Sequence, residues 1–181
     1  MPNGNGNPYK LLLPGAGSAS ILNSCDYPVY VLSAGNPSCG STGECQLLAA
    51  KFTYTEKLRI CKEGGISLKV AKAKDMLKPM QFEYTVSASQ GTVAYDISYL
   101  DCMNNANGQK DLSDCAGQEG GIQAAGGISN DPSCPDYHCP AGEWCDKQAY
   151  VVAEFDYKPG APVGVCAVDK GIAFELCAGD R

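Results

Sequence analysis

The sequence has few of the residues that build long helices, zinc sites and membrane spans. Charged residues make up only 19% of the 181 residues, and there are four Met, one Trp and one His. The 21 Gly and 11 Pro exclude a long-helix protein, because both residues interrupt helices. The longest apolar run near the start, Leu11–Leu13, is far short of the ~20 residues that a membrane-spanning helix needs. With 44% hydrophobic residues, the chain is predicted to be globular.

Positive charge is also scarce. The formal net charge is −6 and the pI is about 4.7, which excludes a general nucleic-acid binder because such proteins need a positive surface. The charge is unevenly distributed, since residues 51–78 hold eight of the 14 basic residues and residues 79–181 hold 15 of the 20 acidic ones. Either the basic segment is a solvated stripe, or the two regions face each other across a polar groove.

The eleven cysteines contain no Cys-x-x-Cys pair, and His138 is the only histidine. A zinc site needs closely spaced thiolates that repeat, so neither a metal nor a cofactor is predicted. This density of cysteines predicts a disulfide framework formed in an oxidising compartment, with five bridges and one thiol left over. No basic segment and apolar core follow Met1, so we interpret the chain as a mature secreted protein whose signal peptide has been removed.

Short alternating segments separated by turn residues predict an all-β fold from Ser20 onward. In residues 172–177, for example, Ile172, Phe174 and Leu176 share one face of the strand. The predicted strands are residues 20–24, 28–33, 51–60, 65–74, 80–87, 92–100, 148–157, 163–168 and 172–177.

Three stretches do not follow this pattern. Residues 1–18 are rich in Asn, Gly, Pro and Ser and are predicted to be a flexible tail before a single domain at residues 19–181. Residues Gln46–Lys51 form the most helix-like run. Residues 103–147 have little periodicity and many Gly and Cys, which predicts a long loop region held by disulfides.

A β-hairpin is predicted at residues 80–87 and 92–99, which flank the turn Ala88–Gly91. Symmetric closure of the turn places the apolar residues opposite one another, as the pairs Phe82 and Ile97, Tyr84 and Tyr95, and Val86 and Val93. A one-residue slip would turn the apolar residues of one strand to the other face, so the pattern disfavours it. A two-residue slip stays open.

The same register places Glu83 opposite Asp96 on the other face of the hairpin, with Cβ atoms ~4.5–5.5 Å apart. Two shielded carboxyls at this distance would titrate as a coupled pair. Asp101 reaches the same surface only if the chain turns after the second strand. Three acids could bind sugar hydroxyls, hold calcium, or cleave a glycosidic bond, since retaining glycosidases have carboxyls ~5–5.5 Å apart. The alternative is an exposed acidic face without a function.

Several segments resemble the thaumatin-like superfamily. Its opening strand, Ile-Val-Asn-x-Cys-x-Tyr-x-Val-Trp, is similar to residues 21–30, and its closing strand ending in Cys is similar to Ala173–Cys177. Its internal strands Glu-Phe-Thr-Leu and Tyr-Asp-Val-Ser-x-x-Asp resemble Glu83–Val86 and Tyr95–Asp101. Residues 54–59 and 64–70 resemble the fungal yeast-phase-specific secreted proteins of this superfamily. The likeness is weak over residues 103–162.

The resemblance implies a disulfide-stapled two-sheet β-sandwich in which a Cys25–Cys177 bridge joins the first and last strands. It also implies that Glu83, Asp96 and Asp101 match acids of the superfamily's cleft. Lys69 is the candidate for the cleft's basic residue, although its spacing differs by about one residue. The fourth acid usually comes from a second domain that the small members lack, which argues against hydrolysis. Asp136 and Asp146 are the candidate replacements.

Two classes of function follow from these residues. The first is a secreted, cell-wall-associated protein that binds β-1,3-glucan or a related glycan; Glu83 and Asp96 are catalytic only if it is a weak endo-β-1,3-glucanase. The predicted ligand-binding residues are Glu83, Asp96, Asp101, Lys69, Tyr95 and Tyr99. The second is a non-enzymatic secreted effector or inhibitor that binds an extracellular host protein through residues 103–147. In both cases we expect a monomer.

Overall fold

The computed structural model describes residues 6–127, 131–152 and 160–181. Within these ranges there is no α-helix, and no helix long and apolar enough to cross a bilayer. The eleven strands are β1 (Ser18–Asn23), β2 (Val29–Gly35), β3 (Gln46–Leu48), β4 (Thr53–Lys57), β5 (Ile66–Ala71), β6 (Met80–Ser87), β7 (Thr92–Ser98), β8 (Ile122–Gly126), β9 (Tyr137–Cys139), β10 (Val163–Ala167) and β11 (Ile172–Leu176).

The strands form two sheets, which confirms the predicted all-β sandwich. One sheet has the order β4-β1-β11-β8-β9, and the other has the order β10-β7-β6-β5-β2-β3. Strand β1 pairs with β11 in parallel, whereas the remaining pairs are antiparallel. The parallel pair brings the beginning and the end of the domain side by side.

The core lies between the sheets and is built from alternate residues of strands such as β1, β2 and β7, and from the fully buried strands β8 and β11. In β6 and β7 the buried side chains include Phe82, Tyr84 and Ile97. Successive side chains of a strand point to opposite faces of the sheet, so these residues face the core. Phe82 of one sheet stacks on Phe174 of the other, with ring centroids 4.5 Å apart. Burial of these apolar faces is the main force that holds the two sheets together.

The predicted hairpin register is confirmed. Phe82 pairs with Ile97, Glu83 with Asp96 and Val86 with Val93, so neither a one-residue nor a two-residue slip occurs.

Ten of the eleven cysteines form five disulfides, as predicted from their number. The bridges are Cys25–Cys177, Cys39–Cys61, Cys102–Cys115, Cys134–Cys166 and Cys139–Cys145. Cys45 is the free cysteine. The bridge implied by the family resemblance, Cys25–Cys177, joins the segments that follow β1 and β11.

Two predictions about local structure are wrong. The helix-like run Gln46–Lys51 is instead the short edge strand β3 followed by a turn, because Leu48 is buried beside Val29 of β2. The predicted loop region 103–147 contains β8 and β9. All five residues of β8 are buried, so the strand shows no alternation in its sequence.

The predicted strand at 148–157 is described only as far as residue 152. Over that part the chain makes an isolated parallel bridge between Tyr150 and Ser98. Residues 153–157 lie outside the described residues.

The predicted N-terminal tail, residues 1–18, is described from residue 6 onward. Asn7 and Leu12 are buried, and the Arg181 guanidinium donates hydrogen bonds to the carbonyl oxygens of Lys10 and Leu11. The Asn7 side-chain amide also donates to the side-chain carbonyl of Gln123 in β8, and Leu12 clusters with Ala125 and Ala173, so the segment lies against the five-stranded sheet. Its flexibility and the domain limits 19–181 stay predictions.

Candidate functional site

A concave surface of about 740 Å³ lies on the outward side of the six-stranded sheet. We call it the concave face and define it by the polar residues of its three central strands, which are Ser67, Lys69, Gln81, Glu83, Thr85 and Asp96. They are alternate residues of β5, β6 and β7, whose intervening residues form the core. The strand alternation therefore places six polar side chains on one surface.

Glu83 and Asp96 form the centre of this face. They lie directly opposite each other on β6 and β7, and both are half-buried. The strand registers place them in a row across five strands, made of Ala34, Ser67, Glu83, Asp96 and Val163. The acid pair thus lies in the middle of an extended surface.

A second row supplies groups that donate and accept hydrogen bonds. Lys69 of β5 lies opposite Gln81 of β6, one step along the strands from the acid pair. The Ser67 hydroxyl donates a hydrogen bond of 2.8 Å to the side-chain carbonyl of Gln81. Among the described residues, Lys69 has no carboxylate within ion-pair distance, so its ammonium group is available on the face.

Gly65 closes one edge of the concave face. A Cβ atom at this position would lie 2.2 Å from the hydroxyl oxygen of Thr85 and 2.6 Å from the carbonyl oxygen of Tyr84. Only glycine lets the chain approach β6 this closely.

Three of the predicted ligand-binding residues are not on this face. Tyr95 and Tyr99 are buried in the core, because they share the strand face of Val93 and Ile97. The Tyr95 hydroxyl donates to the carbonyl of Pro135, and burial raises the pKa of both tyrosines. Neither ring is available to stack on a sugar, which corrects the sequence prediction.

Asp101 lies in the turn after β7 and is exposed, but it does not line the concave face. The proposed replacements for the fourth acid do not line it either: Asp136 is half-buried just before β9, and Asp146 is exposed. The structure therefore brings together Glu83, Asp96 and Lys69.

Sequence reasoning missed Gln81, Ser67, Thr85 and Tyr137. The first three share strand parity with Glu83 or Lys69, so the alternation that located the acids could have located them. Tyr137 comes from β9, and its pKa is raised by burial and by the negative charge of Asp96. Its ring packs edge-on against Tyr95 with centroids 6.3 Å apart, which joins the disulfide-tied region to the core beneath the acid pair.

Another carboxylate serves the fold. Glu56 of β4 accepts hydrogen bonds of 2.6 Å from the hydroxyls of both Tyr54 and Tyr84. Burial, with the hydrogen bond to Glu56 as the next cause, raises the pKa of Tyr54 to about 12. Because Tyr84 belongs to β6, this cluster connects the two sheets.

A model of the Blastomyces yeast-phase-specific protein family (Bys1) matches residues 11–178. The chain belongs to this family. It is also 32% identical over 168 residues to an antigenic thaumatin-like protein of Arthroderma benhamiae, a match that covers 90% of this chain and 72% of that protein. The predicted resemblance to small fungal thaumatin-like proteins is thus confirmed.

The fold of this family member is shared with a solved structure. The protein elicitor MoHrip2 from Magnaporthe oryzae aligns with a TM-score of 0.61 at 22% identity, over 90% of this chain and 100% of that one. The thaumatin-like xylanase inhibitor TLXI aligns at 16% identity with a TM-score of 0.49, over 88% of this chain and 98% of that one.

The concave face combines hydrogen-bond acceptors with hydrogen-bond donors. The carboxylates of Glu83 and Asp96 accept hydrogen bonds, Lys69 donates them, and the hydroxyl of Thr85 does both. Such a surface is suited to a polar ligand that carries many hydroxyl groups.

Proposed function

We propose that this protein is secreted and binds cell-wall β-1,3-glucan, or a related glycan, on the concave face. The observation that carries the proposal is the opposed pair Glu83 and Asp96, flanked by Lys69, in the middle of an extended polar surface. Carboxylates accept hydrogen bonds from sugar hydroxyls, and the lysine ammonium donates hydrogen bonds to the oxygens of sugar hydroxyls.

The dimensions of the face favour a polymer over a small molecule. The row through the acid pair crosses five strands, and neighbouring strands lie ~4.8 Å apart, so the row is roughly 19 Å long. An extended chain of sugar units could contact several strands at once.

Binding without hydrolysis is the better supported form of the proposal. Glu83 and Asp96 are the two carboxyls that line the face among the described residues, and they could in principle serve as the acid and the nucleophile or base of hydrolysis. Asp101, Asp136 and Asp146 do not line the face, so none of these candidates supplies the fourth acid whose lack argues against hydrolysis. Weak endo-β-1,3-glucanase activity is the alternative.

The disulfide framework supports an extracellular location. Five bridges in one chain of this size form and persist in oxidising compartments. A cell-wall polysaccharide is accessible in that compartment.

The test is retention on insoluble β-1,3-glucan, measured by depletion of protein from solution. We expect the variant Glu83→Gln/Asp96→Asn to lose at least tenfold in apparent affinity, because neutral amides replace the two charged acceptors without changing their size. Asp101→Asn is the matched control, since this exposed acid lies off the face, and its retention should equal that of the wild type. Equal retention of the double variant and the wild type would exclude the proposal.

A second candidate is binding to an extracellular host protein through the disulfide-tied loop. Residues 104–110 are all exposed, and the bridge Cys102–Cys115 holds the loop that contains them. A variant that keeps the Cys102–Cys115 bridge but has a Gly-Ser linker in place of residues 104–110 tests this candidate. It should no longer capture such a partner, and its retention on glucan should be unchanged. Loss of glucan retention in this variant would instead connect the loop to the glycan site.

A further inference from the structure

A second concavity, of about 480 Å³, lies where the basic segment 51–78 meets the disulfide-tied region. We call it the loop groove and define it by Lys72, Lys110, Asp111, Gln118, Glu119 and Gly142. It shares no lining residue with the concave face.

Polar contacts hold the two sides of the loop groove together. Lys72 Nζ donates to the carbonyl oxygen of Ser113 at 3.2 Å, and Lys78 Nζ lies 2.7 Å from a carboxylate oxygen of Asp114. Two lysines of the basic segment thus contact the disulfide-tied region, whereas Lys57, Lys62 and Lys74 of the same segment are exposed.

Gln118 contributes a buried acceptor to this groove. The residue is 1% exposed, and its Nε2 donates to the carbonyl oxygens of Glu143 at 3.0 Å and Pro140 at 3.5 Å. These two acceptors fix the orientation of the side-chain amide. The other end, Oε1, is buried and has no hydrogen-bond partner in the part of the chain that the structure describes. A buried acceptor in this state costs free energy unless a donor reaches it.

The charges of the loop groove are balanced. Lys72 lies 3.5 Å from Glu119, and Asp111 accepts a hydrogen bond of 2.9 Å from the backbone of Ser113. The ammonium of Lys110 lies over the ring of Trp144 at 5.9 Å and, within the described ranges, has no carboxylate at ion-pair distance. One donor, on Lys110, and one acceptor, on Gln118, are thus left for a ligand.

This balance selects the chemistry of the ligand. An anion would meet the carboxylates of Asp111 and Glu119 and would have no proton to give to Gln118, whereas a cation would meet Lys72 and Lys110. The ligand that fits is neutral and carries groups that both donate and accept, as hydroxyls do. An extended peptide is disfavoured, because peptides add to a free strand edge and the walls here are turns whose backbone groups bond to one another, as Cys115 does to Leu112.

We propose that the loop groove is a second carbohydrate-binding site, which takes one or two neutral sugar units. One sugar hydroxyl donates to Oε1 of Gln118, and another accepts from the ammonium of Lys110. A volume of about 480 Å³ is within the range of small-molecule sites in proteins. The site takes the ligand class of the proposed function but uses none of the same residues, so either can fail without the other.

The experiment is an NMR titration of the full ¹⁵N-labelled chain with laminaritriose, cellotriose and chitotriose. We expect at least one of the three sugars to cause saturable shifts of the Gly142 backbone amide and the Gln118 side-chain amide. The variant Gly142→Asn should weaken this binding at least tenfold, because it adds a side chain to the groove at a position with φ of +71° that asparagine tolerates. Gly91→Asn is the matched control, since Gly91 has φ of +64°, no atom within 4 Å of an added Cβ, and lies off the groove.

The variant Glu83→Gln/Asp96→Asn separates the two sites. Retention of the loop-groove shifts in this variant supports a site independent of the concave face. Absence of saturable shifts at Gly142 and Gln118 with all three sugars overturns the proposal and leaves an internal water as the partner of Gln118. Equal affinity of Gly142→Asn and the wild type, or a response to N-acetyl-triglycine amide in place of the sugars, also overturns it.

Discussion

Asp131 shows how one ion pair sets the titration of a half-buried side chain. Its carboxylate is paired with the ammonium of Lys170 and accepts two hydrogen bonds from Ser133, one from the backbone at 2.9 Å and one from the hydroxyl at 2.6 Å. The hydrogen bond from Lys170, followed by those from Ser133, lowers the pKa of Asp131 to about 2. The charged form of this carboxyl is therefore favoured in the folded protein.

We expect Lys170→Met to raise the pKa of Asp131 toward its ordinary value near 4. Because the folded pKa lies below the unfolded one, the stabilisation by this pair is fully present above about pH 4 and is lost as the pH falls through about 2. The measurement is an NMR titration of the Asp131 carboxyl in both proteins. Lys62→Met, which removes an exposed lysine outside this pair, is the control and should leave the titration unchanged. A titration of Asp131 that does not move in Lys170→Met contradicts the prediction.

Single residues also show where sequence reasoning succeeds and fails. Glu83 and Asp96 were predictable because strand alternation and a short turn fix both the face and the partner. The same alternation places Tyr95 and Tyr99 in the core, so their predicted role in stacking on sugars conflicted with the register itself. Gln118 was not predictable, because its burial and its hydrogen bonds to Pro140 and Glu143 depend on contacts within an irregular region.

At the scale of elements, the carboxylate of Glu56 links the two sheets through a hydrogen bond. It belongs to β4 of the five-stranded sheet and accepts the hydroxyl of Tyr84 from β6 of the six-stranded sheet. Tyr84 is 2% exposed, and burial, with the hydrogen bond to Glu56 as the second cause, raises its pKa. The Tyr84 hydroxyl also accepts a hydrogen bond of 3.2 Å from the backbone N–H of Arg59.

We expect Tyr84→Phe to lower the free energy of unfolding by about 1–3 kcal/mol, because the change removes the hydroxyl from its half-buried partners Glu56 and Arg59. The measurement is equilibrium unfolding in urea. Tyr30→Phe is the matched control, since the hydroxyl of Tyr30 makes no hydrogen bond among the described residues, and it should change the free energy by less than about 0.5 kcal/mol. Equal effects of the two substitutions would show that the hydrogen bond between Tyr84 and Glu56 does not stabilise the sandwich.

Elements differ in how much of their structure is visible in the sequence. Strands β6 and β7 were predictable because each has one face in the core and one toward solvent, which gives a period of two. Strand β8 has both faces buried and is rich in Ala and Gly, so it has no such period. Strand β3 has only three residues, too few to show alternation, and its pairing with β2 depends on the tertiary fold.

At the scale of the whole molecule, the first and last strands of the fold lie side by side and are linked by a disulfide. Strand β1 pairs in parallel with β11, and the bridge Cys25–Cys177 follows directly. The family resemblance implied that a disulfide joins the first and last strands. No local pattern in the sequence predicts this contact, because the two strands are separated by nearly the entire domain. The disulfide fixes this long-range contact covalently.

Loop length predicts how much each bridge contributes to stability. Cys25–Cys177 joins cysteines 152 residues apart, whereas Cys139–Cys145 joins cysteines six residues apart. In the chain-entropy model, closing these loops restricts the unfolded chain by about 5 kcal/mol and about 2 kcal/mol, respectively. We therefore expect Cys25→Ala/Cys177→Ala to lower the free energy of unfolding by roughly 2–3 kcal/mol more than Cys139→Ala/Cys145→Ala, which is its matched control. Unfolding in guanidinium without reductant measures the free energy of unfolding of both double variants. If Cys25→Ala/Cys177→Ala lost no more stability than Cys139→Ala/Cys145→Ala, the Cys25–Cys177 bridge would not act mainly by restricting the unfolded chain.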